Sequence, residues 1–165
     1  MTSEALDIQS EPEGDIAEPI LVRLTATQIS LHWEAISIGI LNGLRVGPID
    51  DMEVVKARLL QAILRRYLEC WVIVPITKQR QILGVITTLF SGDMYAGEKT
   101  LIIYSLYRYE KMEQHLWPSL LKTLLTYAKA NNCHRLIAYT EFDRVVELAT
   151  SLGAKTSVRL LEWEV

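Results

Sequence analysis

Few residues in this sequence have the type and spacing that catalysis or metal binding requires. The histidines His32, His115 and His134 lie far apart, and no HxxxH or Cys/His ligand pattern is present. The GxSxG turn that presents a serine nucleophile is also absent. The sequence therefore predicts no metal site and no nucleophile paired with a base.

The two cysteines, Cys70 and Cys133, have neither the paired spacing of a zinc ribbon nor the density of a disulfide scaffold. We therefore expect a reducing compartment. Both thiols are predicted to be inert side chains of the hydrophobic core.

Glu110 and Glu113 are the remaining acid-base candidates, because they stand between an apolar run and an amphipathic run. A carboxylate at such a turn could act as a general base. It could equally complement the positive end of the helix dipole. The sequence leaves both roles open.

The elements that would position these residues fit one domain. The chain has 165 residues, half of them hydrophobic, and a formal charge of −3. Residues 1–19 hold six acids and no lysine or arginine, and we predict a flexible acidic tail there. Residues 20–165 are predicted to form a single domain. No signal peptide and no stretch long enough to span a bilayer is found, so we expect a soluble protein that does not associate with a membrane.

Hydrophobic periodicity predicts an ordered series of strands and helices. A strand at Ile20–Leu24 is followed by a capping box at Thr25 and Gln28 that opens a first helix. A second helix is predicted to open at Asp50. Three strands in an antiparallel meander follow, with Pro75 expected at a bulge or an edge. The remaining predictions are a helix (117–131), a strand (134–140), a short helix within 142–154, and a closing strand (156–165).

This order resembles that of the GNAT family of N-acetyltransferases over residues 20–165. The family's long helix and its following strand are similar to residues 120–140, LLKTLLTYAKANNCHRLIAYT. The family's helix end, which carries Tyr-x-Lys-x-Gly-Phe, is similar to residues 148–154, LATSLGA. The resemblance implies the α/β (α+β) class with a mixed, mostly antiparallel central sheet flanked by helices.

The stretch MEQHLWP departs from the family's cofactor loop, which reads Gln/Arg-x-x-Gly-x-Gly/Ala. In the family, glycines let backbone amides approach the diphosphate of acetyl-coenzyme A. Without gaps, the pattern starts at Met112 and its glycine positions fall on His115 and Trp117. Bulky rings there, and Pro118 without an amide, predict a packed corner that binds no cofactor.

The family's proton donor is also missing under the same kind of alignment. Many members use a tyrosine four residues before the Gly-Phe pair and an asparagine further upstream. Taking Gly153-Ala154 as that pair, these positions hold Ala149 and Phe142, neither of which can transfer a proton. We therefore expect no catalytic residue.

Three functions follow as hypotheses. The first is a non-catalytic GNAT-like structural or assembly protein, resembling virion components of tailed phages, that acts through a protein partner or self-association. The alternative is an acetyl-coenzyme A-dependent N-acetyltransferase with an atypical cofactor loop. The third is a nucleic-acid accessory protein that uses an aromatic strand and a basic helix, with Tyr104, Tyr107 and Tyr109 on the strand and Lys56, Arg58, Arg65 and Arg66 on the helix.

The first hypothesis carries further expectations. It needs no cofactor and no small-molecule substrate, whereas acetyl-coenzyme A belongs only to the alternative. The mild, dispersed positive charge after residue 19 argues against nucleic acid. The expected location is the cytoplasm, or the virion if the gene is a phage gene, and secretion is not expected.

Overall fold

The computed structural model describes residues 18–44, 51–78, 80–93, 97–140 and 143–156. Within them, one five-stranded sheet has the order β1-β2-β3-β4-β5. The strands are β1 (Pro19–Arg23), β2 (Glu69–Pro75), β3 (Gly84–Gly92), β4 (Lys99–Arg108) and β5 (Arg135–Ala138). The first four strands pair antiparallel, and β5 pairs parallel with β4. The predicted mixed, mostly antiparallel sheet is confirmed.

Five α-helices and one 3-10 turn are seen in the same residues. The helices are α1 (Ala26–Leu31), α2 (Trp33–Gly43), α3 (Met52–Leu64), α4 (Trp117–Ala130) and α5 (Asp143–Ser151), and the 3-10 turn is Gln114–Leu116. The capping box at Thr25 and Gln28 is confirmed. The single first helix was a wrong prediction, because the chain leaves helical geometry at His32, with φ −117° and ψ 17°, and resumes it at Trp33.

The hydrophobic core has two layers, one on each face of the sheet. One layer joins α1, α2 and α3 to the sheet through residues such as Ile36, Ile40 and Val72. The other joins α4 to the opposite face through residues such as Ile73 and Leu124. Neighbouring strand residues point to opposite faces, so consecutive apolar positions in β2 supply both layers. This explains why β2 reads as a continuous apolar run.

A β-bulge interrupts the pairing of β3 with β4. Thr87 pairs with Ser105 and Thr88 pairs with Ile103, so Tyr104 is the extra residue of β4. Both threonines opposite the bulge have buried partners. The Thr87 and Ser105 hydroxyl oxygens lie 2.5 Å apart, and the indole of Trp71 donates to the Thr88 hydroxyl at 2.9 Å. The Thr87–Ser105 contact joins β3 to β4 beside Tyr104, and the Trp71–Thr88 contact joins β2 to β3.

Helix α2 approaches β3 and β4 closely because it presents glycine to them. A Cβ on Gly43 would lie 3.0 Å from the main-chain oxygen of Leu106, and one on Gly39 would meet the hydroxyl of Tyr109. Main-chain atoms of a strand cannot move aside as a flexible side chain can. The two glycines therefore set how near α2 lies to the end of β4.

Some sequence-based boundaries need correction. Pro75 ends β2 opposite Pro19 and is neither at a bulge nor in the edge strand of the described sheet, where β2 lies inside. The N-cap of α3 is Asp51 rather than Asp50. Nearly all of the predicted tail (1–19) and of the closing strand (156–165) lies outside the described residues.

The cysteine prediction is half correct. Cys70 is buried in the core, and burial raises the pKa of its thiol to about 12. Cys133, in contrast, is only half-buried beyond the end of α4.

Replacing Thr88 with valine should lower the free energy of unfolding by about 1–3 kcal/mol, because the buried indole N–H of Trp71 loses its acceptor. Urea denaturation measures the change. Thr123→Val is the matched control: its hydroxyl donates to a carbonyl oxygen of its own helix, and the expected change is within about 0.5 kcal/mol. Equal effects of the two substitutions would contradict the assigned role of Thr88.

The two thiols should differ in reactivity in the folded protein. At pH 8 a thiol reagent should modify Cys133 and leave Cys70 unmodified until denaturant is added, since a buried neutral thiol is a poor nucleophile. Peptide mass spectrometry after labelling identifies the modified residue. Rapid native labelling of Cys70 would show that its part of the core opens readily.

Candidate functional site

The most distinctive local geometry lies where β4 and β5 stop pairing. They are hydrogen-bonded from Thr100 opposite Arg135 to Ile103 opposite Ala138. Strand β4 continues to Arg108, and no other described strand pairs with it on that side. We call the space bordered by residues 104–108 of β4 and residues 139–140 after β5 the β4–β5 opening. It begins at the bulged residue Tyr104.

Helix α2 and the end of β4 are tied together beside this opening. The Tyr109 hydroxyl donates to the Ala35 carbonyl oxygen of α2. Its ring meets that of Tyr107 edge-on, with centroids 5.3 Å apart. Burial raises the pKa of the Tyr109 phenol, so this hydroxyl stays protonated and keeps donating. These tyrosines have structural contacts of their own, which weakens the nucleic-acid hypothesis.

The loop between β4 and α4 forms a 3-10 turn that leads directly into the helix. The amide of Leu116 donates to the Glu113 carbonyl oxygen, and the amide of Trp117 donates to that of Gln114. Pro118 has no amide to donate. Fewer main-chain donors are therefore available than in an open glycine loop. Gln114 and His115 are the first two residues of the turn, and the turn itself contains no carbonyl oxygen that could accept a hydrogen bond from their amides.

The backbone of this loop does not need glycine. Among the described residues, positive φ angles at non-glycine positions occur only at Arg66 and Asn132. His115 and Trp117 therefore occupy ordinary helical conformations, which any side chain can adopt. The missing glycines alone do not close the loop.

The packed corner predicted for MEQHLWP is correct for two of its three key residues. Met112 is buried, and Trp117 packs against the same core layer beneath α4. The His115 side chain is instead 69% exposed, and its Nδ1 lies 3.0 Å from a carboxylate oxygen of Glu113. His115 therefore does not pack into the corner.

The two acidic candidates beside the loop already have polar partners. Glu110 accepts a hydrogen bond from the Gln81 side chain at 3.0 Å, and Glu113 is paired with His115. The Glu113 carboxylate lies within hydrogen-bond distance of His115 Nδ1.

The proton-donor positions contribute no proton-transfer group in the described residues. Ala149 lies in α5, and Phe142 lies outside the described part of the chain. Gly153 has φ +92°, a left-handed conformation that favours glycine at a helix end.

Sequence inspection missed a polar cluster beneath α4. Arg23 donates to the Tyr127 hydroxyl at 2.8 Å and to Glu69 at 3.2 Å. Burial and the neighbouring Glu69 raise the pKa of the Tyr127 phenol to about 12. The residues are separated by up to 104 positions, so no local pattern could have indicated them. The cluster fastens α4 to β1 and β2, away from the β4–β5 opening.

For metal sites and membrane-spanning helices, the structure gives information only on the described residues. No group of three potential metal ligands occurs among them, and none of their helices is both long and apolar enough to cross a membrane. The basic face of α3 is partly neutralised, because Lys56 pairs with Glu34 and Glu53.

Comparisons with known proteins identify the fold of this chain but no relative by sequence. No protein-family model and no curated protein sequence matches the chain. Solved structures do match. A predicted acetyltransferase from Clostridium acetobutylicum with acetyl-coenzyme A is 14% identical, with a TM-score of 0.66 over 88% of this chain and 96% of that one.

Two further structures agree. A putative acetyl transferase from Pyrococcus furiosus is 16% identical, with a TM-score of 0.65 over 90% of this chain and 100% of that one. An aminoglycoside acetyltransferase from an uncultured soil sample, in complex with sisomicin, is 14% identical, with a TM-score of 0.63 over 90% and 95%. The chain has a GNAT-like fold.

Single substitutions in the loop should separate its packed residue from its exposed one. Trp117→Ala should cost about 2–4 kcal/mol of unfolding free energy, because its ring packs against the core. His115→Ala should change it by less than about 0.5 kcal/mol. Urea denaturation of both variants tests this. A large loss of unfolding free energy for His115→Ala would show that His115 also packs into the corner.

Proposed function

We propose that this GNAT-like protein is an acetyl-coenzyme A-dependent N-acetyltransferase with an atypical cofactor loop. The observation that carries the proposal is the β4–β5 opening, where the parallel pair ends at Ile103 and Ala138 while β4 runs on to Arg108. An opening between strands gives a ligand access to main-chain donors and acceptors, which a fully paired sheet would use internally. Neighbours of the same fold include acetyltransferases.

The loop residues fit the cofactor's diphosphate with fewer donors than a glycine loop offers. The amides of Gln114 and His115 stand at the start of the turn, and the exposed imidazole of His115 can add a charged donor. The carboxylate of Glu113 opposes an anion, but its pairing with His115 offsets part of that charge. We therefore expect binding weaker than that of a typical glycine loop.

The bound cofactor would supply an activated acetyl group as a thioester. This chain's own residues would hold the acceptor amine beside β4, with α2 as one wall fixed by the Tyr109 contact to Ala35. Glycine at position 43 lets that wall lie close to the main chain of Leu106. Ordered walls lower the entropy cost of bringing two reactants together.

The second candidate is a non-catalytic structural or assembly protein that acts through a protein partner or self-association. Loop chemistry favours it: two amides at the start of α4 are used within the turn, and Ala149 replaces the family's proton donor. Under this candidate no cofactor binds. The virion of a tailed phage is its proposed setting, with the cytoplasm as the setting of the enzyme.

Acetyl-coenzyme A should raise the melting temperature of the protein. At a concentration 100 times the Kd the stabilisation is about 2.7 kcal/mol, or about 5–10 °C for a chain of this size. ADP at the same concentration is the control for nonspecific phosphate binding. His115→Ala should weaken acetyl-coenzyme A about tenfold through loss of one charge-assisted contact, whereas His134→Ala should not, since His134 lies at the start of β5.

Two outcomes would decide between the candidates. No shift at millimolar acetyl-coenzyme A would remove the enzyme proposal and leave the structural one. A shift together with acetylation of an amine would establish the enzyme. Release of coenzyme A should be followed by chromatography, because a thiol reagent would also react with Cys133.

A further inference from the structure

Two tyrosines stand at the mouth of the β4–β5 opening. The last paired residues are Ile103 and Ala138, and the next residues along the two chains are Tyr104 and Tyr139. Because the strands are parallel, both chains leave the final pair in the same direction. The two tyrosines therefore begin at the same level on opposite sides of the opening. They are 47% and 68% exposed.

Tyr104 is held in a defined position rather than on a mobile loop. It is the extra residue of the bulge, and bulges turn a side chain away from its regular direction. The strand resumes regular pairing at once through Ser105, whose hydroxyl contacts Thr87 in the interior. A ring presented in this way can form one side of a small binding site.

The rest of the opening carries no acidic group in its described part. On β4 the residues are Tyr104, Ser105, Leu106, Tyr107 and Arg108, and after β5 they are Tyr139 and Thr140. Leu106 is partly exposed. The one charge in this set is the positive charge of Arg108. A ligand with several positive charges would be repelled there, and no carboxylate among the described residues that border the opening would compensate for this repulsion.

We infer that Tyr104 and Tyr139 form the acceptor subsite, and that it selects a primary monoamine with an aromatic or apolar body over polycationic amines. Tyrosine faces attract an ammonium group and pack against an aromatic ring. The identity of the acceptor rests on the proposed acetyltransferase function. The amine-binding site itself does not, because it is built from residues of this chain and can be tested without a cofactor.

The test is binding of phenethylamine to the full chain without acetyl-coenzyme A, followed by ligand-observed NMR titration. Sisomicin is the polycationic comparison. We expect phenethylamine to bind more tightly than sisomicin. Tyr104→Ala and Tyr139→Ala should each weaken phenethylamine about tenfold, while the phenylalanine substitutions should retain most of the affinity because the ring face is kept.

Tyr67→Ala is the matched control, since Tyr67 is 72% exposed but lies between α3 and β2, away from the opening. It should leave amine binding unchanged. Circular dichroism would verify that each variant is folded before its affinity is compared.

Three results would overturn the inference: tighter binding of sisomicin, binding of neither amine, or alanine variants with wild-type affinity. None of them bears on the melting-temperature shift by acetyl-coenzyme A. The opposite outcome is also informative. If the protein binds the amine through both tyrosines but does not bind acetyl-coenzyme A, the subsite is supported and the proposed enzyme activity is contradicted.

Discussion

The structure depends on how β4 is shared between two neighbours. Antiparallel β3 accompanies it over its whole length, whereas parallel β5 accompanies it only to Ile103. The bulge at Tyr104 lies where the second partner ends, and a bulge bends and twists the strand that contains it. One strand can thus be buried at its beginning and open at its end. The β4–β5 opening follows from that change.

The bulge is kept in register by polar contacts inside the core. Thr87 and Thr88 face opposite layers, and each finds a hydroxyl or indole partner there. A buried hydroxyl without a partner costs free energy, so a one-residue slip of β3 against β4 would leave the hydroxyls of Thr87 and Ser105 unsatisfied. The Thr87–Ser105 contact therefore helps to define the geometry of the opening.

In the loop after β4, two aromatic side chains that are close in sequence lie in different environments. Two rings replace two glycines, and both were expected to block a ligand. Trp117 turns into the core beneath α4, while His115 stays at the surface beside Glu113. The loop uses two main-chain donors within its own 3-10 turn and carries an imidazole at its surface.

The sequence by itself determined the elements and their order, because those depend on neighbours within a few residues. The capping box at Thr25, the three antiparallel strands and the amphipathic α4 could all be read from local periodicity, and so could the resemblance in fold. Tertiary structure alone decided the bulge at Tyr104, the level of Tyr139 opposite it, and the exposure of His115. These features depend on strand register and on packing between residues far apart in the chain, and no local pattern encodes which of two rings will face the core.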